Sequence, residues 1–160
     1  MSRDDMSGAK DKGYLPYGRQ WVSKEDIEAV IDVLESDWIT TGPKVEEFER
    51  TVANKAGALH GVAVSNGTTA LHAAYAAAGI GPGDEVIVPA ITFASTANMV
   101  ILTGAKPIFA DVDENTLLID PESVRSLITD RTKAIVGVDY AGQPFDHLKL
   151  KKICHDRQIL

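Results

Sequence analysis

The stretch GVAVSNGTTALHAAYAAA, residues 61–78, places a short apolar run, a small polar turn and an alanine-rich helical pattern in direct succession. An apolar run of this length bounded by turn residues is typical of a buried strand. The same order recurs three times downstream. The later apolar runs occupy residues 85–88, 107–110 and 134–138, and the helical patterns occupy residues 93–103, 121–129 and 146–157. Continuous apolar strands alternating with helices predict an α/β protein, a three-layer α-β-α arrangement around a mostly parallel sheet.

Four polar or small-residue turns follow the four predicted strands. They occupy residues 65–68, 89–92, 111–115 and 139–142. In a parallel sheet, ligands bind beyond the carboxyl ends of the strands. All four turns lie at that end, so we expect a functional site to be assembled from them.

Composition excludes several classes of protein. The chain has 160 residues, 44% of them hydrophobic, and a formal net charge of −7, which argues against nucleic acid as the main partner. No apolar run approaches the ~18 residues that a membrane helix needs. Cys154 is the only cysteine, so no internal disulfide forms and a cysteine-based zinc site is not expected. The polar N-terminus lacks the apolar stretch of a signal peptide, and we expect a cytoplasmic location.

The order of the elements predicts three segments. Residues 1–13 are polar and predict a flexible tail. Residues 14–58 predict a helical and loop segment, whose first helix begins after Ser23 with a capping box and whose second helix begins at Pro43. Residues 59–160 predict the α/β part. Residues 158–160 predict the start of a fifth strand, so we expect an incomplete sheet.

The strongest local motif is the turn between the first predicted strand and its helix. Gly67 permits close backbone approach, and Thr68 and Thr69 begin the helix. Free N–H groups at a helix start, at the positive end of the helix dipole, form a phosphate site. The alternative is that Ser65 or Thr68 only caps the helix, and the pattern favours neither interpretation. No Gly-Lys-Ser/Thr follows Gly67, so the motif is not a P-loop.

Other candidate site residues have a structural explanation as well as a functional one. Phe93, at the end of the second turn, could stack on a planar ring beyond the strand ends, although a core position is the more common one for Phe. Residues 79–84, GIGPGD, lie before a strand and are explained by a helix C-cap and a turn. Asp111 and Asp113 favour a solvated turn over a metal site. The histidines lack metal-ligand spacing, and no metal site is expected.

A series of motifs resembles the DegT/DnrJ/EryC1/StrS sugar aminotransferases. The motifs are YLPY at 14–17, WITTGP at 38–43, FE at 48–49, VSNGTTAL at 64–71, GPGDEVIVP at 81–89 and TF at 92–93. The resemblance runs from about residue 14 to residue 160. Residues 96–99, 132–136 and 138–142 look most like the branch that aminates C4 of a UDP-linked keto sugar in pseudaminic acid synthesis.

The resemblance implies a cofactor, pyridoxal 5′-phosphate (PLP), and a fold like that of aspartate aminotransferase. It implies that Gly67, Thr68 and Thr69 hold the cofactor phosphate and that Phe93 stacks on the pyridine ring. It also implies four substrate residues at the sugar-nucleotide entrance. These are Tyr17, Trp38, Thr40 and Tyr140.

The resemblance also implies that this chain holds no catalytic residue of the family. The Schiff-base lysine and the aspartate that faces the pyridinium nitrogen are expected beyond Leu160, so the 160-residue chain is expected to be inactive. It resembles an incomplete large domain of a PLP-dependent transferase, without the small domain. The implied partners are a UDP- or dTDP-linked keto sugar, an amino acid donor such as glutamate, and a second copy in a homodimer.

Two other functions are compatible with the sequence. A short homologue without the lysine could act as a non-catalytic dimerisation or regulatory partner. A free-standing nucleotide-binding α/β domain is the third hypothesis, and the lack of a GxGxxG or P-loop motif in the right context speaks against it.

Overall fold

The computed structural model describes residue 18 and residues 20–160. Six α-helices and three strands follow one another there. They are α1 (Lys24–Leu34), α2 (Pro43–Ala56), α3 (Gly67–Ala77), β1 (Glu85–Pro89), α4 (Ser95–Leu102), β2 (Lys106–Ala110), α5 (Pro121–Leu127), β3 (Thr132–Ile135) and α6 (His147–Arg157). The predicted tail at residues 1–13 lies outside the described residues. Within the described part of the chain, no helix is both long and apolar enough to cross a membrane.

The chain divides into two compact units, with the division between Gly61 and Val62. The first unit carries α1 and α2. Ser23 caps α1 by accepting a hydrogen bond from the Asp26 amide, and the Asp26 carboxylate accepts one from the Ser23 amide, which confirms the predicted capping box. Helix α2 begins with Pro43 and ends at Gly57, whose φ of 67° is the left-handed conformation that favours glycine.

The second unit contains a parallel sheet in the order β2-β1-β3. Alternate residues of the central strand β1 point to opposite faces. Val86 and Val88 pack with residues of α3 and α4, whereas Ile87 packs with residues of α5 and α6. Helices therefore cover both faces of the sheet, which confirms the predicted α/β three-layer architecture.

The prediction of a first strand at residues 61–64 is wrong. Residues 61–64 do not join the sheet, and Val62 is 80% exposed. An apolar run expresses a tendency to be buried, but a strand also needs a neighbour with which to form a ladder. The edges of the sheet are β2 and β3, and residues 61–64 pair as a strand with neither.

The strand predicted at residues 134–138 is shifted in the structure to Thr132–Ile135. Beyond it, Val136 still donates a hydrogen bond to the Ile87 carbonyl, but the ladder ends there. The position that a side chain on Gly137 would occupy is taken by the Phe145 ring, so glycine is the residue that fits there. On the outer side of β3, the Leu160 amide donates to the Lys133 carbonyl and the Ile135 amide donates to the Leu160 carbonyl. This pair of bonds is the pattern of a residue in a parallel strand, so the predicted strand start is seen at Leu160. Gln158, which the prediction included, is instead the left-handed C-cap of α6 (φ 55°).

A buried carboxylate ties the amino end of β1 to the segment before β3. The Glu85 side chain is 4% exposed and accepts hydrogen bonds from Thr129 Oγ1 (2.6 Å) and from Arg131 Nη2 (2.6 Å) and Nε (3.1 Å). The Thr129 hydroxyl, and after it the Arg131 guanidinium, lower the pKa of Glu85 from its ordinary value. Folding thus favours the charged form of Glu85. Its carboxylate contacts Thr129 and Arg131, which lie 44 and 46 positions further along the chain.

The Glu85 contact predicts a specific pH dependence of stability. Because folding lowers the pKa of Glu85, its stabilisation is complete above the unfolded-state pKa of about 4.3 and is lost as the pH falls through the folded-state pKa. Thermal melts of Glu85→Gln should show a melting temperature lower by about 5 °C at pH 7, and the difference should shrink below pH 4. Glu122→Gln, which changes an exposed carboxylate, is the control. If Glu85→Gln lowers the melting temperature equally at pH 3 and pH 7, the stabilisation does not come from the charged Glu85 carboxylate.

Candidate functional site

The carboxyl ends of β1 and β3 lie side by side at the point where the order of strands reverses. From β1 the chain passes through α4 to β2 on one side, and from β2 it passes through α5 to β3 on the other side. Such a reversal leaves a crevice outside the strand ends, where ligands bind in open α/β sheets. The segments that follow the two strands are residues 90–94 and residues 136–146.

The start of α3 is capped by Asn66. Its backbone is extended (φ −170°, ψ 170°), and its Oδ1 accepts hydrogen bonds from the amide (2.9 Å) and the hydroxyl (3.1 Å) of Thr69. The cap is therefore neither Ser65 nor Thr68, the two residues for which the sequence suggested this role. Thr69 is turned toward the cap, and both of its donors are used there.

Two amides at the start of α3 remain available. The amide of Ala70 donates to the Asn66 carbonyl (3.1 Å), and that of Thr69 is taken by the cap. Among the hydrogen bonds of the described residues, none uses the amides of Gly67 and Thr68 or the hydroxyl of Thr68. Unpaired amides at the N-terminus of an eleven-residue helix are anion-binding groups.

Gly67 and Thr68 line a cleft of about 710 Å³ together with Phe93. The cleft is lined by Gly67, Thr68, Ala70, Leu71, Ala74, Phe93, Ser95 and Thr96. Phe93 is 76% exposed, so it is not a core residue, and its ring is open to a ligand. The structure thus brings Gly67, Thr68 and Phe93 to one cleft, whereas Thr69 does not line it.

The predicted substrate residues lie in separate parts of the chain. Tyr17 lies outside the described residues. Trp38 is 60% exposed and lines a small apolar cavity of about 200 Å³ in the first unit, and Thr40 is exposed without lining it. Tyr140 begins a short 3₁₀ turn, Tyr140–Gly142, in the segment that follows β3. Their roles toward a substrate stay predictions.

Asp113 organises the turn after β2. Its Oδ1 accepts hydrogen bonds from the amide (2.8 Å) and the hydroxyl (3.0 Å) of Thr116 and from the amide of Asn115 (3.0 Å), which lower the pKa of Asp113. This is the hydrogen-bonded turn that the sequence favours for this segment. The described residues contain no group of three side chains that could hold a metal ion.

Ser95 and Thr96 are the residues of the cleft that sequence reasoning missed. Both residues are buried, at 6% and 4% exposed, and both line the cleft at the first turn of α4. The available signal was a pair of hydroxyl residues directly after the turn that contains Phe93. The predicted helix began at residue 93, and the structure begins it at Ser95, which leaves Phe93 in the loop.

The fold and the cleft define a class of protein. A parallel sheet covered on both faces, with free helix amides and an open aromatic ring in one cleft, is an α/β domain suited to a phosphorylated planar ligand. The model of the DegT/DnrJ/EryC1/StrS aminotransferase family matches residues 20–160. The chain belongs to this family, as the resemblance predicted.

Two relatives are similar to most of this chain and support its membership of the family. The chain is 52% identical over 137 residues to the spore coat polysaccharide biosynthesis protein SpsC of Bacillus subtilis, a match that covers 86% of this chain and 35% of SpsC. It is 49% identical over 133 residues to the UDP-4-amino-4-deoxy-L-arabinose–oxoglutarate aminotransferase of Shewanella sediminis, covering 83% of this chain and 34% of that protein. The chain therefore spans about a third of the length of the curated relatives it matches.

A solved structure with bound cofactor has the same fold. The GDP-4-keto-6-deoxy-D-mannose-3-dehydratase of E. coli, with bound hydrated PLP, superposes with a TM-score of 0.84 and 34% sequence identity. The match covers 91% of this chain and 39% of that one. The cofactor in that structure, PLP, is the one that the resemblance implies for the family.

Proposed function

We propose that the cleft of the second unit holds pyridoxal 5′-phosphate. The amides of Gly67 and Thr68 and the Thr68 hydroxyl would hold the phosphate, and the face of Phe93 would lie against the pyridine ring. One observation carries the proposal: helix-start donors that have no partner among the described residues and an exposed aromatic ring line the same cleft. The donor set fits a phosphate monoester, because amides at the positive end of a helix dipole favour a dianion.

We further propose that the chain is the N-terminal part of an aminotransferase for a nucleotide-linked keto sugar. The name of the Shewanella relative, with a 4-amino sugar linked to UDP and oxoglutarate as co-product, supports glutamate as donor and C4 of the sugar as the aminated carbon. PLP, when bound, supplies an electron sink for moving an amino group. The homodimer and the cytoplasmic location predicted from the sequence stay predictions.

The residues of this chain have a limited part in that reaction. Gly67 and Thr68 bind the cofactor phosphate, and Phe93 orients the ring in the cleft. No lysine is among the residues that line the cleft in the described part of the chain. Binding and orientation are therefore the steps that these residues can perform, and proton transfer needs a group from elsewhere.

Binding of a cofactor analogue tests the proposed cleft. Pyridoxine 5′-phosphate has the ring and the phosphate but no aldehyde to react with surface lysines, so it reports non-covalent binding alone. In a titration followed by amide NMR shifts, we expect the largest changes at Gly67, Thr68 and Phe93. Pyridoxine without phosphate should bind at least tenfold more weakly, since the charge-assisted bonds to the helix amides are lost. Equal binding of the two compounds, or shifts confined to other residues, would refute the cleft.

A further inference from the structure

A buried tyrosine connects α3 to the first turn of α4. Tyr75 is the buried residue of α3, at 6% exposed, and its hydroxyl donates a hydrogen bond to the main-chain carbonyl of Thr96 (3.0 Å). The two residues lie 21 positions apart in the sequence. The helix that carries the free amides and the helix that follows Phe93 are therefore joined by a directional contact, in addition to apolar packing.

Thr96 extends this contact to the loop that contains Phe93. Its Oγ1 lies 2.8 Å from Oγ1 of Thr92, and its amide donates to the Phe93 carbonyl (3.0 Å). One residue thus holds the loop at Thr92 and at Phe93 itself. A continuous series of hydrogen bonds runs from Tyr75 in α3 through Thr96 to Thr92 and Phe93.

These hydrogen bonds matter because the Phe93 side chain has little packing of its own. With 76% of its surface exposed, the ring is not located by a surrounding core. Its position relative to the start of α3 is set by how the loop backbone is held. A cofactor that must contact both the α3 amides and the ring requires this separation to be fixed within a fraction of an ångström.

We propose that Tyr75 and Thr96 are positioning residues, which hold Phe93 at the correct separation from the Gly67 and Thr68 amides for a ligand with both a ring and a phosphate. This inference rests on the proposed function, because it assumes that such a ligand occupies the cleft. Neither residue needs to touch the ligand's reacting atoms. Their effect is exerted through the geometry of the loop and helix.

The hydroxyl of Tyr75 is explained better by a positioning role than by filling of the core alone. Tyr75 stands in an alanine-rich helix, where Phe would bury a ring of nearly the same size without a polar atom. A buried phenol needs a hydrogen-bond partner, and the Thr96 carbonyl provides it. Burial also raises the pKa of Tyr75, so the hydroxyl keeps its proton and remains a donor.

Tyr75→Phe separates positioning from packing, because it removes only the hydroxyl. The probes are pyridoxine 5′-phosphate, which needs the ring and the amides together, and inorganic phosphate, which needs the amides alone. We expect about fivefold weaker binding of pyridoxine 5′-phosphate and unchanged binding of inorganic phosphate, measured by NMR titration of the 160-residue chain. Equal weakening of both ligands, or of neither, would overturn the inference.

A second pair of variants keeps the test decisive if Tyr75→Phe does not fold. Thr92→Val removes the hydroxyl that contacts Thr96 and keeps the shape of the side chain, whereas Thr92→Ser keeps the hydroxyl. Thr92→Val should weaken pyridoxine 5′-phosphate selectively, and Thr92→Ser should restore the wild-type affinity. Similar affinities for the two variants would refute positioning. If the wild-type chain binds no pyridoxine 5′-phosphate, the proposed function itself fails. If the wild-type chain binds it and the variants bind it equally well, only the positioning inference fails.

Discussion

Replacement of Ile87 by alanine is expected to lower the free energy of unfolding by about 3–4 kcal/mol. Ile87 is fully buried in the central strand, and its register partners are Ile108 in β2 and Ile135 in β3. The three isoleucines form a row across the sheet, on the face covered by α5 and α6. Alanine would leave a cavity in this row, and a central strand with neighbours on both sides has little freedom to collapse around it.

Urea denaturation followed by circular dichroism measures the Ile87 effect. A lower midpoint at an unchanged slope would assign the change to stability. Ile101→Ala is the matched control, since Ile101 in α4 is 59% exposed and its truncation should cost no more than about 0.5 kcal/mol. Ile87→Val should fall between them, near 1 kcal/mol. An Ile87→Ala variant as stable as Ile101→Ala would mean that β1 is not the centre of the core.

The sequence predicted the central strand well and the preceding apolar run badly, for one physical reason. Residues 85–88 and residues 61–64 are both short, apolar and bounded by turn residues. In the structure the first set is buried between two parallel neighbours, whereas Val62 in the second set is 80% exposed. A one-dimensional pattern reports the tendency of a segment to be buried. It contains no information on whether another strand lies beside it.

The start of α3 shows that prediction from sequence is also limited for single residues. The sequence located the helix and its free amides, because Gly67, Thr68 and the alanines form a clear local pattern. It did not identify Asn66 as the cap. Ser, Thr and Asn all cap helices, and the choice among adjacent candidates depends on which backbone is extended, a property that neighbouring structure decides.

Contacts between distant residues lie beyond sequence reasoning altogether. The Tyr75 hydroxyl meets a carbonyl 21 residues away, and the Glu85 carboxylate meets a guanidinium 46 residues away. Neither pair has a local signal, because both depend on how helices and strands pack after they form. A Tyr in an alanine-rich helix and a Glu in an apolar run are nonetheless detectable as exceptions, and such exceptions indicate where long-range polar contacts are needed.

Phe93→Ala is expected to weaken binding of pyridoxine 5′-phosphate about tenfold, with little effect on the fold. The loss corresponds to removal of one aromatic stacking contact and its apolar area. Because the Phe93 side chain is 76% exposed, its truncation should change the free energy of unfolding by no more than about 0.5 kcal/mol. Large effects on affinity together with small effects on stability are the signature of a residue that faces a ligand.

Three comparisons make the Phe93 experiment specific. Binding of inorganic phosphate should be unchanged in Phe93→Ala, because the amides of Gly67 and Thr68 do not depend on the ring. Phe93→Trp should retain the affinity for pyridoxine 5′-phosphate, since it keeps an aromatic face, whereas Phe93→Leu keeps only apolar area and should lose most of it. If Phe93→Leu binds as tightly as Phe93→Trp, the contact is general apolar burial and not stacking. If Phe93→Ala weakens inorganic phosphate as much as pyridoxine 5′-phosphate, the residue acts on the α3 amides, and the ring site must lie elsewhere in the cleft.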